Sequence, residues 1–187
     1  LQPAGPNAQS IQDLVTPVFA IAGVVFVLVM AVVFVVGLKF REDPDDPEMP
    51  KQIHGNTAWE IGWTVAPALI LAVVSVLTVF TILDLTEDHE DALQVEVAGS
   101  QWWWAFRYDL DGEVGPNGER SYDDPGDIET ATELVIPVGR PVRVNITSND
   151  VIHSFWIPHL NGKKDAVPGM VTHWNIEASR PGVFRGQ

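Results

Sequence analysis

Two long runs without a single charged side chain constrain this chain more than any other feature: Leu14 to Leu38 and Ile61 to Leu83. A helix over the first run, at ~1.5 Å rise per residue, is roughly 37 Å long and crosses a hydrocarbon core of ~30 Å with some tilt. The second run, which ends at Asp84, is long enough as well. A secretory signal fits the first run poorly, because the apolar stretch exceeds the ~7–15 residues of a signal core and no basic residue precedes it. A helical hairpin buried in a soluble core would need a polar face, which such long uncharged runs do not offer. Pro67 inside the second run is costly in a water-soluble helix but tolerated in a membrane, where neighbouring groups satisfy the freed carbonyl. The chain is therefore expected to hold a tail over 1–13, a two-helix membrane anchor over 14–83 with a connecting loop over 39–60, and a separate domain over 84–187.

Basic residues set the orientation. Lys39, Arg41 and Lys51 lie in the connecting loop, whereas residues 1–13 and 84–106 contain neither Lys nor Arg. The loop is expected on the cytoplasmic side, and both termini, with the tail and the whole second half, on the outer side. Glu60 sits at the cytoplasmic mouth of the second run, between Trp59 and Ile61. Such a carboxylate either faces lipid headgroups or feeds protons into a partner.

Residues 84–187 carry eighteen Asp or Glu against eight Lys or Arg, out of a whole-chain net charge of -14. That surface repels nucleic acid and anionic lipid, and steers a basic protein partner towards it; simple solubility accounts for the same charge. The chain has no cysteine, so no disulfide and no thiolate metal site is available within it.

After Asp84 the pattern changes to period two. Leu93, Val95 and Val97 alternate with Gln94 and Glu96; Val142, Val144 and Ile146 alternate with Arg143, Asn145 and Thr147; Val171, His173 and Asn175 alternate with Thr172, Trp174 and Ile176. Asp111-Gly112, Asn117-Gly118, Asp124-Pro125-Gly126 and Pro181-Gly182 mark turns. Short strands with such punctuation predict an antiparallel sandwich. In an extended strand Trp102, Trp104, Phe106 and Tyr108 would share one face, leaving Trp103 on the other. Those rings read as sandwich core or as interface. His153 stands among apolar residues in Asp150-Val151-Ile152-His153-Ser154-Phe155, as a core histidine or a copper ligand. His54, His89, His159 and His173 show no mutual ligand spacing.

Five segments in order resemble subunit II of the haem–copper oxidases: Glu60 to Pro67, Gly99 to Tyr108, Asp150 to Phe155, Asp165-Ala166-Val167-Pro168-Gly169, and Phe184 to Gln187. The resemblance runs from about Pro17 to Gln187. It implies a transmembrane helical hairpin plus a cupredoxin-like Greek-key sandwich, in a bacterial plasma membrane with the sandwich on the periplasmic side. It further implies that His153 is a ligand of a dinuclear copper A centre, that Trp102 is the surface indole receiving electrons from cytochrome c, and that Trp104 packs between that indole and the copper. By the same resemblance Glu60 lies at the mouth of a proton pathway into subunit I, and Asp165 lies near that subunit's magnesium and haem. Other oxidase subunits and membrane lipid are the further partners.

The sequence departs from the family pattern in places. The remaining copper ligands of this family come from a loop with two Cys, a Glu carbonyl, a His and a Met, and the polypeptide is expected to continue into that loop after Gln187. Met170 stands where many members have an Arg, and Arg107 where some carry an acid for cytochrome c, so the docking carboxylates are expected at Asp109, Asp111 and their neighbours. A quinol oxidase subunit II without copper, or a membrane-tethered assembly domain, is the alternative; His153, Trp102 and Gly186-Gln187 favour the copper-bearing type.

Overall fold

The computed structural model describes residues 2–41, 52, 54–87, 89, 91–109 and 128–187. It divides into two compact units, 14–80 and a second made of 1–13 with 81–187.

The first unit consists of the apolar parts of two helices, α1 over Pro6–Lys39 and α2 over Thr57–Leu85. Both are long and apolar enough to cross a membrane, and neither buries its most apolar window within the protein. Side chains such as Phe26 (65% exposed) and Leu71 (64%) face outward, which in water would be prohibitive and in lipid is the stable arrangement. Asn56 caps α2, its Oδ1 accepting from the amides of Ala58 at 3.0 Å and Trp59 at 3.4 Å.

Helix α1 begins eight residues before the apolar run, and here the sequence reading needs correction. The expected tail over 1–13 is helical from Pro6 and belongs to the second unit, where Ala4 and Ala8 are 3% and 1% exposed. The apolar run marks where lipid can begin, not where a helix must.

The second unit is mostly sheet. Its strands are β1 (Leu93–Ser100), β2 (Trp103–Asp109), β3 (Ile128–Ala131), β4 (Val142–Ser148), β5 (His153–Phe155), β6 (Lys164–Ala166) and β7 (Thr172–Ile176). Five form one sheet in the order β3-β2-β1-β4-β7, and β5 pairs with β6. The alternation read from the sequence is the packing pattern: Val95, Val97, Val142, Val144 and Ile146 are fully buried, while Arg143, Asn145 and Thr147 are half-buried on the other face. Phe106, Tyr108, Phe155, Leu160 and Ile176 complete the core.

The order 3-2-1-4 is that of a Greek key, but β4 runs parallel to β1, with Val95 opposite Val144. The fully antiparallel expectation fails at this pair. Side-chain alternation has the same period in both directions, so it cannot report that the chain passes from β3, beside β2, to the far side of β1 before forming β4.

Candidate functional site

The candidate site lies where the β1–β2 turn meets the segment leading into β5. Strands β1 and β2 pair from Gln94 opposite Asp109 up to Ser100 opposite Trp103, leaving only Gln101 and Trp102 in the turn. Trp102 therefore does not share the inward face with Trp104, Phe106 and Tyr108. It stands at the hairpin tip, 91% exposed, while Trp103 is 43% exposed on the face opposite Trp104.

Two loops are fastened together here. The Asn149 amide donates to the Gly99 carbonyl at 2.9 Å, and its side-chain amide donates to the Ser100 hydroxyl at 3.0 Å. The carboxylate of Asp150 accepts three N–H groups: Gln101 N at 2.7 Å on Oδ2, Val151 N at 2.6 Å and His153 Nε2 at 2.6 Å on Oδ1. The His153 ring, then the two backbone amides, hold the Asp150 carboxyl down at about 2, so it is ionised throughout the physiological range.

His153 opens β5 with its side chain 19% exposed. Its ring stands edge-on to Trp104, with centroids 5.8 Å apart and planes at 66°. Trp104 in turn meets Phe155 at 5.5 Å, and Phe155 meets Phe106 at 6.3 Å. Gly99 makes the first of these contacts possible, since a Cβ there would lie 3.0 Å from both His153 Cδ2 and Trp104 Cζ3. Replacing Gly99 with Val is expected to force the two rings apart and destabilise the sheet unit by about 1–3 kcal/mol. Near-ultraviolet circular dichroism together with denaturant unfolding checks this; an unchanged midpoint would mean the rings yield without cost.

The other expected site residues lie elsewhere. Asp165, on β6, is exposed and accepts the Ser154 hydroxyl at 2.8 Å. Glu60 lies in the first turn of α2, exposed, its amide bonded to the Asn56 carbonyl at 3.0 Å. Asp111 lies outside the described residues, and Asp109 is described only as the last residue of β2. Arg107 is matched by Glu96 and Glu129, each at 3.4 Å, so the cation is set between two carboxylates. His159 and His173 are committed to other partners, the Gln2 carbonyl at 2.7 Å and Asn145 Oδ1 at 2.8 Å. Asp150 and Gly99 are the residues that sequence reasoning passed over. Asp150 had a signal, an acid three residues before the candidate ligand.

A metal finds one suitable group here. Because an ionised carboxylate only accepts, His153 carries its proton on Nε2, leaving Nδ1 to offer a lone pair. His153 fits as one ligand, and among the described residues no three His, Cys, Asp or Glu side chains are grouped to hold an ion. Beside Trp104 and Phe155 opens a cavity of about 720 Å³, lined also by Ile136, Ile157, Leu160 and Phe184.

Residues 93–187 match the family described as cytochrome c oxidase subunit II, periplasmic domain, and residues 1–81 match its transmembrane domain. The chain is 38% identical over 193 residues to cytochrome c oxidase subunit 2 of Alkalihalophilus pseudofirmus, covering all of this chain and 52% of that protein. It is 36% identical over 197 residues to quinol oxidase subunit 2 of Bacillus subtilis, covering all of this chain and 56% of that one. The chain thus spans about half the length of these curated relatives. The crystal structure of the periplasmic domain of cytochrome oxidase subunit II from Bradyrhizobium japonicum superposes with a TM-score of 0.40 at 26% identity, covering 51% of this chain and 70% of that one.

Proposed function

Since the chain belongs to the cytochrome c oxidase subunit II family, we propose that it is the electron-receiving subunit of a terminal respiratory oxidase, taking electrons from cytochrome c on behalf of the haem in subunit I. There oxygen is reduced and protons are pumped. The observation that carries this reading is the pairing, at one end of the sheet unit, of an exposed indole at Trp102 with a histidine whose Nδ1 is left open by its bond to Asp150. The acidic composition of residues 84–187, eighteen Asp or Glu against eight Lys or Arg, supports it, because such a surface steers a basic donor protein at rates that fall with ionic strength.

A dinuclear copper A centre would be held at Nδ1 of His153 together with further ligands, and when bound it would supply one-electron storage between donor and haem. The protein's own residues position the parts. Trp102 presents its ring to the donor, Trp104 fixes the His153 ring edge-on, and Gly99 lets the two approach. Asp165 faces subunit I near its magnesium in this reading, and Asp109 and Asp111 contribute to docking. The anchor lies in a bacterial plasma membrane, with the sheet unit on the periplasmic side.

The likeness to a quinol oxidase subunit favours a second reading, in which the same scaffold serves an oxidase without copper. Copper analysis of the assembled oxidase separates the two: about two copper atoms assigned to this subunit, with rapid reduction by cytochrome c, supports the first. Their absence, with turnover on quinol, supports the second.

Glu60 supplies a separate test. At the exposed mouth of α2 it would deliver protons to subunit I, so Glu60→Gln is expected to slow reductive-phase proton uptake several-fold while leaving cytochrome c oxidation in the first turnover unchanged. A normal uptake rate would leave it a headgroup-facing carboxylate.

A further inference from the structure

We infer that Asp150 is a positioning residue that joins the Trp102 turn to His153 and decides which imidazole nitrogen His153 offers to a metal; the metal's identity rests on the copper-bearing reading above. One carboxylate spans the two features. Its Oδ2 takes the amide of Gln101, the residue bonded to Trp102, and its Oδ1 takes Nε2 of His153. The path from the indole-bearing turn to the imidazole thus crosses two hydrogen bonds, of 2.7 and 2.6 Å, and one carboxylate group.

The chemistry requires a carboxylate. Both oxygens face N–H donors, and the Val151 amide at 2.6 Å shares Oδ1 with the imidazole, so all three contacts demand an acceptor. An asparagine here would turn its NH₂ towards either Gln101 N–H or His153 Nε2–H and lose that contact. With the Asp150 link made, the ring is held as the Nε2–H tautomer and its orientation is fixed from two sides, by Asp150 and by the edge of Trp104. With the link broken, either nitrogen can carry the proton and the ring is held from one side only, by Trp104. The fastening of Asn149 to Gly99 and Ser100 keeps the two loops in place, so a change at Asp150 alters the link without removing the scaffold.

Histidine-selective ¹⁵N labelling of the full chain in nanodiscs, metal-free and at mildly alkaline pH, tests this directly. His153 is assigned by the signal lost in His153→Gln. The unaltered chain should show His153 as a single Nε2–H tautomer, and Asp150→Asn and Asp150→Ala should both show a mixture of tautomers while still unfolding in one cooperative thermal transition. In the assembled oxidase, electron uptake from hexaammineruthenium(II), a small donor that needs no protein docking surface, should fall about tenfold to a hundredfold in Asp150→Asn. An unchanged tautomer in both variants overturns the proposal. So does slowed uptake from cytochrome c alone with the ruthenium rate intact, because Asp150 would then be only a docking charge. If the unaltered oxidase holds no copper A centre while the tautomer change persists, the copper-bearing reading falls and the Asp150 link stands.

Discussion

Replacing Trp102 with Ser in the assembled oxidase is expected to cut cytochrome c-driven electron uptake about thirtyfold, since truncating a central indole at an interface costs about 2 kcal/mol or more. The reason is placement. Trp102 occupies a two-residue turn and is 91% exposed, so its ring contributes little to the fold and is available to a partner. For the same reason the thermal midpoint of the chain should shift within the range of ordinary surface changes, about 0.5 kcal/mol. Trp102→Phe, which keeps a smaller aromatic face, should fall between. The measurement is stopped-flow reduction by cytochrome c beside the copper spectrum. Full-rate uptake by the Ser variant, with the spectrum intact, would remove Trp102 from the path. A lost spectrum would instead make the turn part of the metal site's support, which its two hydrogen-bonded neighbours at Asn149 and Asp150 already suggest as the point of leverage.

That turn also marks where the sequence stopped being legible. Two-residue hairpins favour Gly, Asn or Asp, whose chemistry suits positive φ, and Gln101-Trp102 carries none of them. The sequence pattern accordingly runs as one extended strand straight through Trp102. Counting by two from Trp104 inward remained correct for Phe106 and Tyr108 because a strand's parity is local. The membrane runs were readable because lipid demands apolarity from every side chain of a span, a requirement that local chemistry alone expresses. The parallel β1–β4 pair and the bond from Asp150 to Gln101 were not, since both depend on contacts 49 residues or so apart in the chain. Asp150 and His153 are three residues apart, but the sequence could not say that the loop bends to bring them within 2.6 Å.

The segment before the first apolar run offers the second large effect. Residues expected as a free tail instead strap the sheet unit: the Ala4 amide donates to the His159 carbonyl at 2.7 Å, the Ala4 carbonyl accepts from Ser179 N at 2.7 Å, and the Ala8 amide donates to the Leu160 carbonyl at 3.1 Å. Side chains reinforce it, with Asn7 Nδ2 and Asn161 Nδ2 both donating to the Asn175 carbonyl, and Asn175 Nδ2 donating to the Glu87 carbonyl. Gly5 lies at the tightest point, where any Cβ would overlap the Glu177 carbonyl oxygen. Because that obstacle is backbone and cannot swing aside, Gly5→Ala must move the strap. Losing three backbone hydrogen bonds at about 1 kcal/mol each and unburying two methyl groups at about 0.8 kcal/mol each should destabilise the sheet unit by roughly 4–5 kcal/mol. Gly23→Ala is the control, since nothing approaches within 4 Å of a Cβ there and a helix gains from the exchange. Thermal unfolding followed by tryptophan fluorescence, with Trp174 reporting through its bond to the Gly162 carbonyl at 3.0 Å, should separate the two variants clearly. Equal midpoints would mean that the strap is dispensable, and that the turn over 157–162, and with it β5 and His153, is held by the sheet alone.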